Sequence, residues 1–129
     1  MNHFSLFLLL FTALFSACKS STSFPANREW TLSELKFKPV PANVTATIKF
    51  DSGQKRYAGK NACNAYSGTY ELNGSTLKLG PAMATKMFCA DVADWETAFM
   101  DMLPTVDNYT HQNGQLRLFS GTKVVAVFK

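Results

Sequence analysis

The sequence lacks most of the residue combinations that enzymes use for metal binding or acid–base catalysis. It holds three cysteines and two histidines in 129 residues, and none of them form the C-x-x-C or H-x-x-x-H spacing typical of structural zinc. No glycine-rich phosphate loop follows a strand and opens a helix, and no pair of carboxylates is clearly placed for acid–base work. The sequence therefore predicts no metal, no cofactor and a protein that is not an enzyme.

Residues 1–17 contain no Lys, Arg, Asp or Glu. The apolar run of residues 4–15 is about a dozen residues long, shorter than the ~20 that a membrane-spanning helix needs. Small residues, Ser16 and Ala17, follow the run, as is typical of a secretory signal. The residues leading into Cys18 also resemble a bacterial lipobox. We expect a lipoprotein signal peptide over 1–17 and lipid attachment at Cys18; the alternative is an ordinary signal that leaves Cys18 as a free thiol.

Removal of residues 1–17 leaves 112 residues, enough for a single domain with one core. Residues 18–27 are rich in Ser, Thr, Lys, Pro and Asn without apolar periodicity, which predicts a lipidated tether. Residues 28–129 are then the domain. The net charge of +4 suits an anionic surface, and export argues against nucleic acid as the partner. Two basic clusters either contact anionic lipid headgroups or are simply solvated: Lys36/Lys38 and Lys55/Arg56/Lys60.

The cysteine count points to a disulfide. Lipidation of Cys18 leaves Cys63 and Cys89, and an oxidising envelope compartment favours their pairing. The alternative is two reduced thiols that never meet. In that case, a nucleophile could be formed from Cys63 or Cys89 with His111 as base. His111 lies beside an Asn-Gly turn, and nothing in the sequence places it near either cysteine.

Short alternating segments separated by turn signals run through most of the mature chain. Asn73-Gly74 and Asn113-Gly114 each separate two strand-like segments, and Asn-Gly is a strong signal of a β-hairpin with a type I′ turn. The segment around Ile48 places apolar residues on one face and polar residues on the other. We expect antiparallel strands over residues 30–35, 44–50, 56–60, 67–72, 75–79, 108–112, 115–119 and 124–128.

Residues 91–103 break this pattern because they hold no Gly or Pro and carry an apolar stripe at i, i+3, i+7 and i+10. The stripe consists of Val92, Trp95, Phe99 and Met102. Asp91 can cap such a helix, and Pro104 ends it. The predicted fold class is α+β and β-dominated, a small antiparallel barrel-like meander with one helix over about 91–103.

Two motifs within the domain resemble those of the META domain family, also called HslJ-like, which is found in many bacterial envelope proteins. They are Cys63-Asn64-x-Tyr66-Ser67-Gly68-x-Tyr70 and Thr85-Lys86-Met87-x-Cys89, with Trp30-x-Leu32 and Leu116-x-Leu118 as further matches. The resemblance covers about residues 26–129. Ala62 stands where the family often has Gly, so a different local turn is expected. We interpret Asn64 as the residue of a tight corner and Gly68 as a site where the chain bends.

The resemblance implies a small β-rich barrel with a helix and a stress-linked envelope role, since family members are associated with heat response and tolerance to novobiocin. The expected function is a non-enzymatic binding or interaction module, anchored by Cys18 in the outer membrane and acting on an envelope protein or lipid. Lys19, rather than Asp, after the lipidated residue favours the outer membrane. The alternatives are a lipid-binding, pilot-like secretion chaperone and a thiol-dependent hydrolase. In the chaperone, six aromatic residues would line a cavity rather than pack as core: Trp30, Phe37, Phe50, Tyr57, Phe119 and Phe128.

Overall fold

The structure, a computed structural model, describes residues 23–129. The predicted signal peptide, the lipidation of Cys18 and the first part of the predicted tether lie outside these residues.

Within the described residues, eight of ten strands form a closed antiparallel barrel. Closure arises because β10 pairs with β1 as well as with β9, in the order β1-β3-β4-β5-β6-β8-β9-β10. The strands are β1 (Glu29–Leu35), β2 (Lys38–Pro39), β3 (Thr47–Asp51), β4 (Arg56–Lys60), β5 (Ala65–Asn73), β6 (Thr76–Leu79), β7 (Met83–Ala84), β8 (Asn108–Gln112), β9 (Gln115–Ser120) and β10 (Lys123–Phe128). The predicted β-dominated fold with a barrel is confirmed. Two short strands, β2 and β7, were not predicted.

The strand pattern follows the predicted alternation. Ile48 and Phe50 of β3 are fully buried, and so is Ala46, which forms an isolated bridge to Asn61 just before the strand. Tyr66 and Tyr70 of β5 both face the core, as their spacing predicts.

The Asn-Gly turns differ from one another. Asn113 and Gly114 both have positive φ (53° and 69°), the pattern of the predicted type I′ turn. The other hairpin pairs Asn73 with Thr76, so its central residues are Gly74 and Ser75. Of these two only Gly74 has positive φ (61°), as in a type II′ turn. The type I′ prediction at Asn73-Gly74 is therefore wrong by one residue, because the strand extends through Asn73.

The helix α1 (Ala93–Met102) lies between two 3₁₀ turns, Ala90–Val92 and Leu103–Thr105. The prediction that Asp91 caps the helix is wrong: Val92 occupies the cap position and no side chain bonds there, because Asp91 already belongs to the 3₁₀ turn. Phe99 contacts the rings of Tyr66 and Phe128, so α1 packs against the barrel core. The stripe is core, as expected, except that Trp95 stays partly exposed.

Gly68 does not form a bulge, because it lies in unbroken pairing opposite Tyr57. A Cβ at position 68 would lie 2.7 Å from the Tyr57 ring. The glycine therefore makes room for a buried aromatic side chain, whose hydroxyl donates to the carbonyl of Gly80 at 2.6 Å.

The barrel has two ends, which the antiparallel register defines. β5 starts at Ala65 and runs nine residues to Asn73, about 27 Å of strand. At the Asn73 end lie Ser23 and the hairpin tips at 74–75 and 113–114, and we call it the chain-start end. At the Ala65 end lie residues 36–37, 61–64 and 83–89, and we call it the disulfide end.

The chain-start end is closed by residues that the sequence placed in the tether. The ring of Phe24 packs against Phe50, Tyr70 and Tyr109 at centroid distances of 4.9, 5.6 and 5.0 Å. The indole N–H of Trp30 donates to the carbonyl of Pro25 at 3.2 Å.

Candidate functional site

The predicted pairing of Cys63 with Cys89 is present in the structure as a disulfide, with the two Cα atoms 5.8 Å apart. It joins the connection between β4 and β5 to the segment that leads into α1. Both cysteines are partly exposed. The bond therefore fixes the loop 85–89 to the rim of the barrel at the disulfide end.

Asn64 holds the same loop from inside. Its Oδ1 accepts hydrogen bonds from the backbone N–H of Met87 at 2.7 Å and from the Thr85 hydroxyl at 2.9 Å. Its Nδ2 donates to the carbonyl of Met87 and to the carboxylate of Glu96, both at 3.0 Å. Because Asn64 is buried, with 1% of its surface exposed, these four bonds satisfy its amide group completely. One side chain thus ties the turn, the loop and α1 together.

The sequence assigned Asn64 only to a tight corner, and it missed this long-range role and the contribution of Glu96. The corner itself is formed by Asn61, whose Oδ1 accepts the N–H of Asn64 at 2.7 Å. Asn61 is fully buried, and its Nδ2 has no hydrogen-bond partner. Between them Ala62 has φ of +87°, a conformation that favours glycine. The frequent glycine of the family at this position therefore has a geometric reason.

The disulfide end carries the large hydrophobic side chains that are exposed in residues 23–129. Phe88 is 84% exposed, Met83 80% and Met87 63%. Met87 and Phe88 lie in the loop fixed by the disulfide and Asn64, and Met83 lies just before it in β7, which pairs with β5. Phe37, 72% exposed, occupies the β1–β2 turn at the same end. The backbone N–H and carbonyl of Met87 are both bound by Asn64, so its side chain projects from a fixed backbone. We call the side chains of Phe37, Met83, Met87 and Phe88 the apolar rim.

His111 lies at the other end of the barrel. Its Nδ1 is 3.4 Å from the carbonyl oxygen of Ser23, and its ring packs edge-on against Trp30. The structure does not bring His111 together with Cys63 or Cys89, which are bonded to each other. Among residues 23–129 no group of three His, Cys, Asp or Glu side chains is placed to hold a metal ion.

The basic clusters separate in space. Lys36 and Lys38 line a pocket against α1. Lys55 lies over the ring of Tyr70 toward the chain-start end, while Lys60 pairs with Ala65 at the disulfide end. In the part of the chain that the structure covers, no helix is long and apolar enough to cross a membrane.

The buried tyrosines have a structural role. Burial raises the pKa of Tyr57 to about 12 and also raises the pKa of Tyr66, with a further contribution from neighbouring Tyr57. The Tyr66 hydroxyl donates to the carbonyl of Thr47 at 2.6 Å. Both phenols therefore stay protonated and act as hydrogen-bond donors inside the barrel.

The fold and the site together define a small closed barrel with one helix and a disulfide-fixed loop. The META domain family model matches residues 23–129, and the chain belongs to this family. A protein from Burkholderia xenovorans, solved by NMR, is similar in fold, with a TM-score of 0.65 and 23% identity over 81% of each chain. A second NMR structure is similar with a TM-score of 0.61 and 23% identity, over 78% of this chain and 86% of the other. No curated protein sequence matches the chain.

Proposed function

We propose that this protein is a non-enzymatic envelope lipoprotein whose META domain binds a partner protein through the apolar rim. The observation that carries the proposal is the exposure of Phe88, Met83 and Met87 on a backbone fixed by a disulfide and a buried amide. Three of these side chains lie within six residues of the sequence, and a concentration of exposed large apolar side chains often marks an interaction site. A fixed backbone also reduces the entropy lost on binding.

The position of Ser23, the first described residue, gives the rim a direction. Four residues lie between Cys18 and Ser23, so the two Cα atoms are at most ~18 Å apart. If Cys18 carries acyl chains, the chain-start end stays close to the membrane and the apolar rim faces away from it. A protein partner therefore suits the rim better than the lipids of the anchoring membrane. The outer membrane as location follows from Lys19, and the stress-linked role from the family resemblance.

The interior of the barrel favours this function over a lipid-carrying pilot. Of the six aromatic residues expected to line such a cavity, Phe37 is exposed and Phe119 is partly exposed. The other four are fully buried within the hydrophobic core: Trp30, Phe50, Tyr57 and Phe128. A thiol-dependent hydrolase is disfavoured because Cys63 and Cys89 are bonded and His111 lies at the opposite end.

The docking role is tested by site-specific photo-crosslinking in living cells. A photoreactive phenylalanine analogue replaces Phe88 in one variant and Ser75, exposed at the chain-start end, in a control. We expect a discrete protein adduct from position 88 that disappears when Met83→Ser and Met87→Ser are added, and none from position 75. The same adducts from both positions, or an adduct that persists without the methionines, would refute the proposal.

The anchoring role is tested by the intact mass of protein purified from native membranes. We expect a chain that begins at Cys18, carries three acyl chains and contains no free thiol. A chain that retains residues 1–17, or one cleaved without acylation, would contradict the lipoprotein assignment while leaving the docking test unaffected.

A further inference from the structure

A half-enclosed pocket lies between the β1–β2 hairpin and α1. Its volume is about 240 Å³, below the ~300–1,000 Å³ of pockets that hold drug-sized ligands, so the ligand it admits is about the size of one sugar ring. The lining residues are Leu35, Lys36, Lys38, Asp94, Trp95 and Ala98. The Lys36/Lys38 cluster, interpreted from the sequence as a surface for lipid headgroups or as a solvated face, therefore forms one wall of a pocket.

The wall is held in a backbone conformation that its residues rarely adopt. Lys36 and Phe37 form the two-residue β1–β2 turn, and both have positive φ, 49° and 66°. Asn and Gly usually occupy such positions. Pairing of Leu35 with Lys38 and a 3.0 Å hydrogen bond from the Lys36 N–H to the Val125 carbonyl keep the turn in place. Strain of this kind, kept by the surrounding pairing, is concentrated at functional sites in proteins.

The charges and hydrogen-bonding groups of the lining residues limit which ligands the pocket can bind. Two ammonium groups and one carboxylate leave an excess of one positive charge, which a ligand with one negative charge neutralises. The exposed carboxylate of Asp94 can accept hydrogen bonds, so a ligand that carries O–H or N–H donors gains a further contact there. Trp95 supplies an aromatic wall, and it is the member of the helical stripe that remains partly exposed while Val92, Phe99 and Met102 are buried.

We propose that this pocket binds a monosaccharide that carries one carboxylate. The carboxylate pairs with Lys36 and Lys38, sugar hydroxyls donate to Asp94, and the ring packs against Trp95. A fatty acid has the charge but no donors for Asp94, and a neutral sugar leaves both lysines without a counter-charge. The pocket lining shares no side chain with the apolar rim, although Phe37 of the rim lies in the same turn as Lys36, and binding requires no protein partner.

The test uses the full chain purified in detergent, with the side-chain N–H signals of its tryptophans followed by NMR. Trp95 reports the pocket, and Trp30, which is fully buried, is an internal control. Two matched ligand pairs differ in the carboxylate: D-glucuronate against D-glucose, and N-acetylmuramate against N-acetylglucosamine. We expect saturable shifts of Trp95 with at least one acid, binding at least about tenfold tighter than its neutral partner, and no shift of Trp30. The two acids distinguish a simple uronic acid from a lactyl-ether sugar as the source of the carboxylate.

Variants then test whether Lys36 and Lys38 recognise the carboxylate of the ligand. The double variant Lys36→Gln/Lys38→Gln should weaken binding of the acid about tenfold, and Lys49→Gln, exposed on β3, should leave it unchanged. Because the ligand pairs are compared on the unaltered protein, the result does not depend on the stability of any variant. Equal binding of acid and neutral sugar, or the absence of a saturable Trp95 shift with every sugar, would overturn the proposal.

Discussion

The two ends of the barrel differ in whether their aromatic side chains are packed inside or exposed to solvent. At the chain-start end Phe24 turns inward and packs against three rings. At the disulfide end Phe88 turns outward and is 84% exposed, although its segment is the more tightly fastened of the two. Packing against other rings explains why Phe24 is placed where it is. Phe88 has no such packing, because it is exposed to water on a fixed backbone. The difference shows that aromatic packing stabilises the chain-start end, and it supports the proposal that the disulfide end contacts a partner.

The two ends also differ in how their backbone is held. At the tip after β3 the bonds are exposed: the carboxylate of Asp51 accepts the N–H groups of Gly53 and Gln54, and the side chain of Asn27 bonds with Ser52, 25 residues away. At the disulfide end the long-range bonds come from a buried side chain, since the amide of Asn64 reaches Met87 and Glu96, 23 and 32 residues away. Long-range fastening fixes a loop that has little core of its own.

Among the changes proposed, removal of the disulfide should lower the free energy of unfolding most, and its local effect should be confined to the disulfide end. The chain-entropy model predicts that Cys63→Ser/Cys89→Ser lowers the free energy of unfolding by about 3.5 kcal/mol, because the loop closed spans 26 residues. Urea unfolding measures the loss, and hydrogen exchange should show that protection falls in residues 61–64 and 85–89 but not at the tip 73–76.

The unaltered protein in reducing agent is the control and should match the double variant. A loss of less than about 1 kcal/mol would show that Asn64 alone fixes the loop. Equal loss of protection at both ends would show that the ends are not independent.

A matched pair of phenylalanines tests the comparison directly. Phe24→Ala should reduce the free energy of unfolding by about 2 kcal/mol, because a partly buried ring loses contact with three neighbours. Phe88→Ala should change it by less than about 0.5 kcal/mol, as is usual for an exposed side chain. Thermal and urea unfolding measure both. If Phe88→Ala is as destabilising as Phe24→Ala, the apolar rim is part of the folding core.

The fold was more predictable from the sequence than the site was. Alternation around Ile48 and the stripe ending at Met102 arise from burial on one face, which leaves a periodic trace in the chain. The role of Asn64 leaves no such trace, since its partners lie 23 and 32 residues away and one asparagine looks the same at a local corner. For Gly68 the close approach of the Tyr57 ring was missed, because only the fold shows that Tyr57 lies across from it.

The apolar rim was likewise hidden in the sequence. A phenylalanine in a strand-rich chain is expected in the core, and nothing local distinguishes Phe88 from Phe99. The disulfide was accessible because the count of cysteines, together with the expected compartment, left two to pair. Its consequence, a fixed loop with exposed side chains, required the three-dimensional arrangement.

A smaller effect of opposite sign is expected at Ala62. Its φ of +87° is strained for alanine, and glycine adopts it without a clash, so Ala62→Gly should raise the free energy of unfolding by about 0.5–1 kcal/mol. Ala65→Gly, in an exposed strand position three residues on, is the control and should lower it by about the same amount. Urea unfolding of the two variants gives the comparison. Destabilisation by both would mean that the turn at Ala62 is not strained.

The smallest expected effect concerns the polar contacts at the turn between β9 and β10. The carboxylate of Asp107 accepts the N–H of Gly121 at 3.0 and 2.9 Å and a bond from the Asn108 amide. These bonds hold the pKa of Asp107 below its usual value of 3.8, the Gly121 bond contributing most. A depressed pKa means that the ionised group stabilises the fold above pH 3.8 and that this stability is lost as the pH falls through the folded-state pKa.

Carbon NMR titration of the carboxyl group measures the pKa of Asp107. Unfolding at pH 5 and pH 3 should show a smaller pH dependence in Asp107→Asn than in Asp101→Asn. Because this fastening is separate from the cystine, the same difference should persist when Cys63 and Cys89 are both serine; its disappearance there would show that the two fastenings act as one unit.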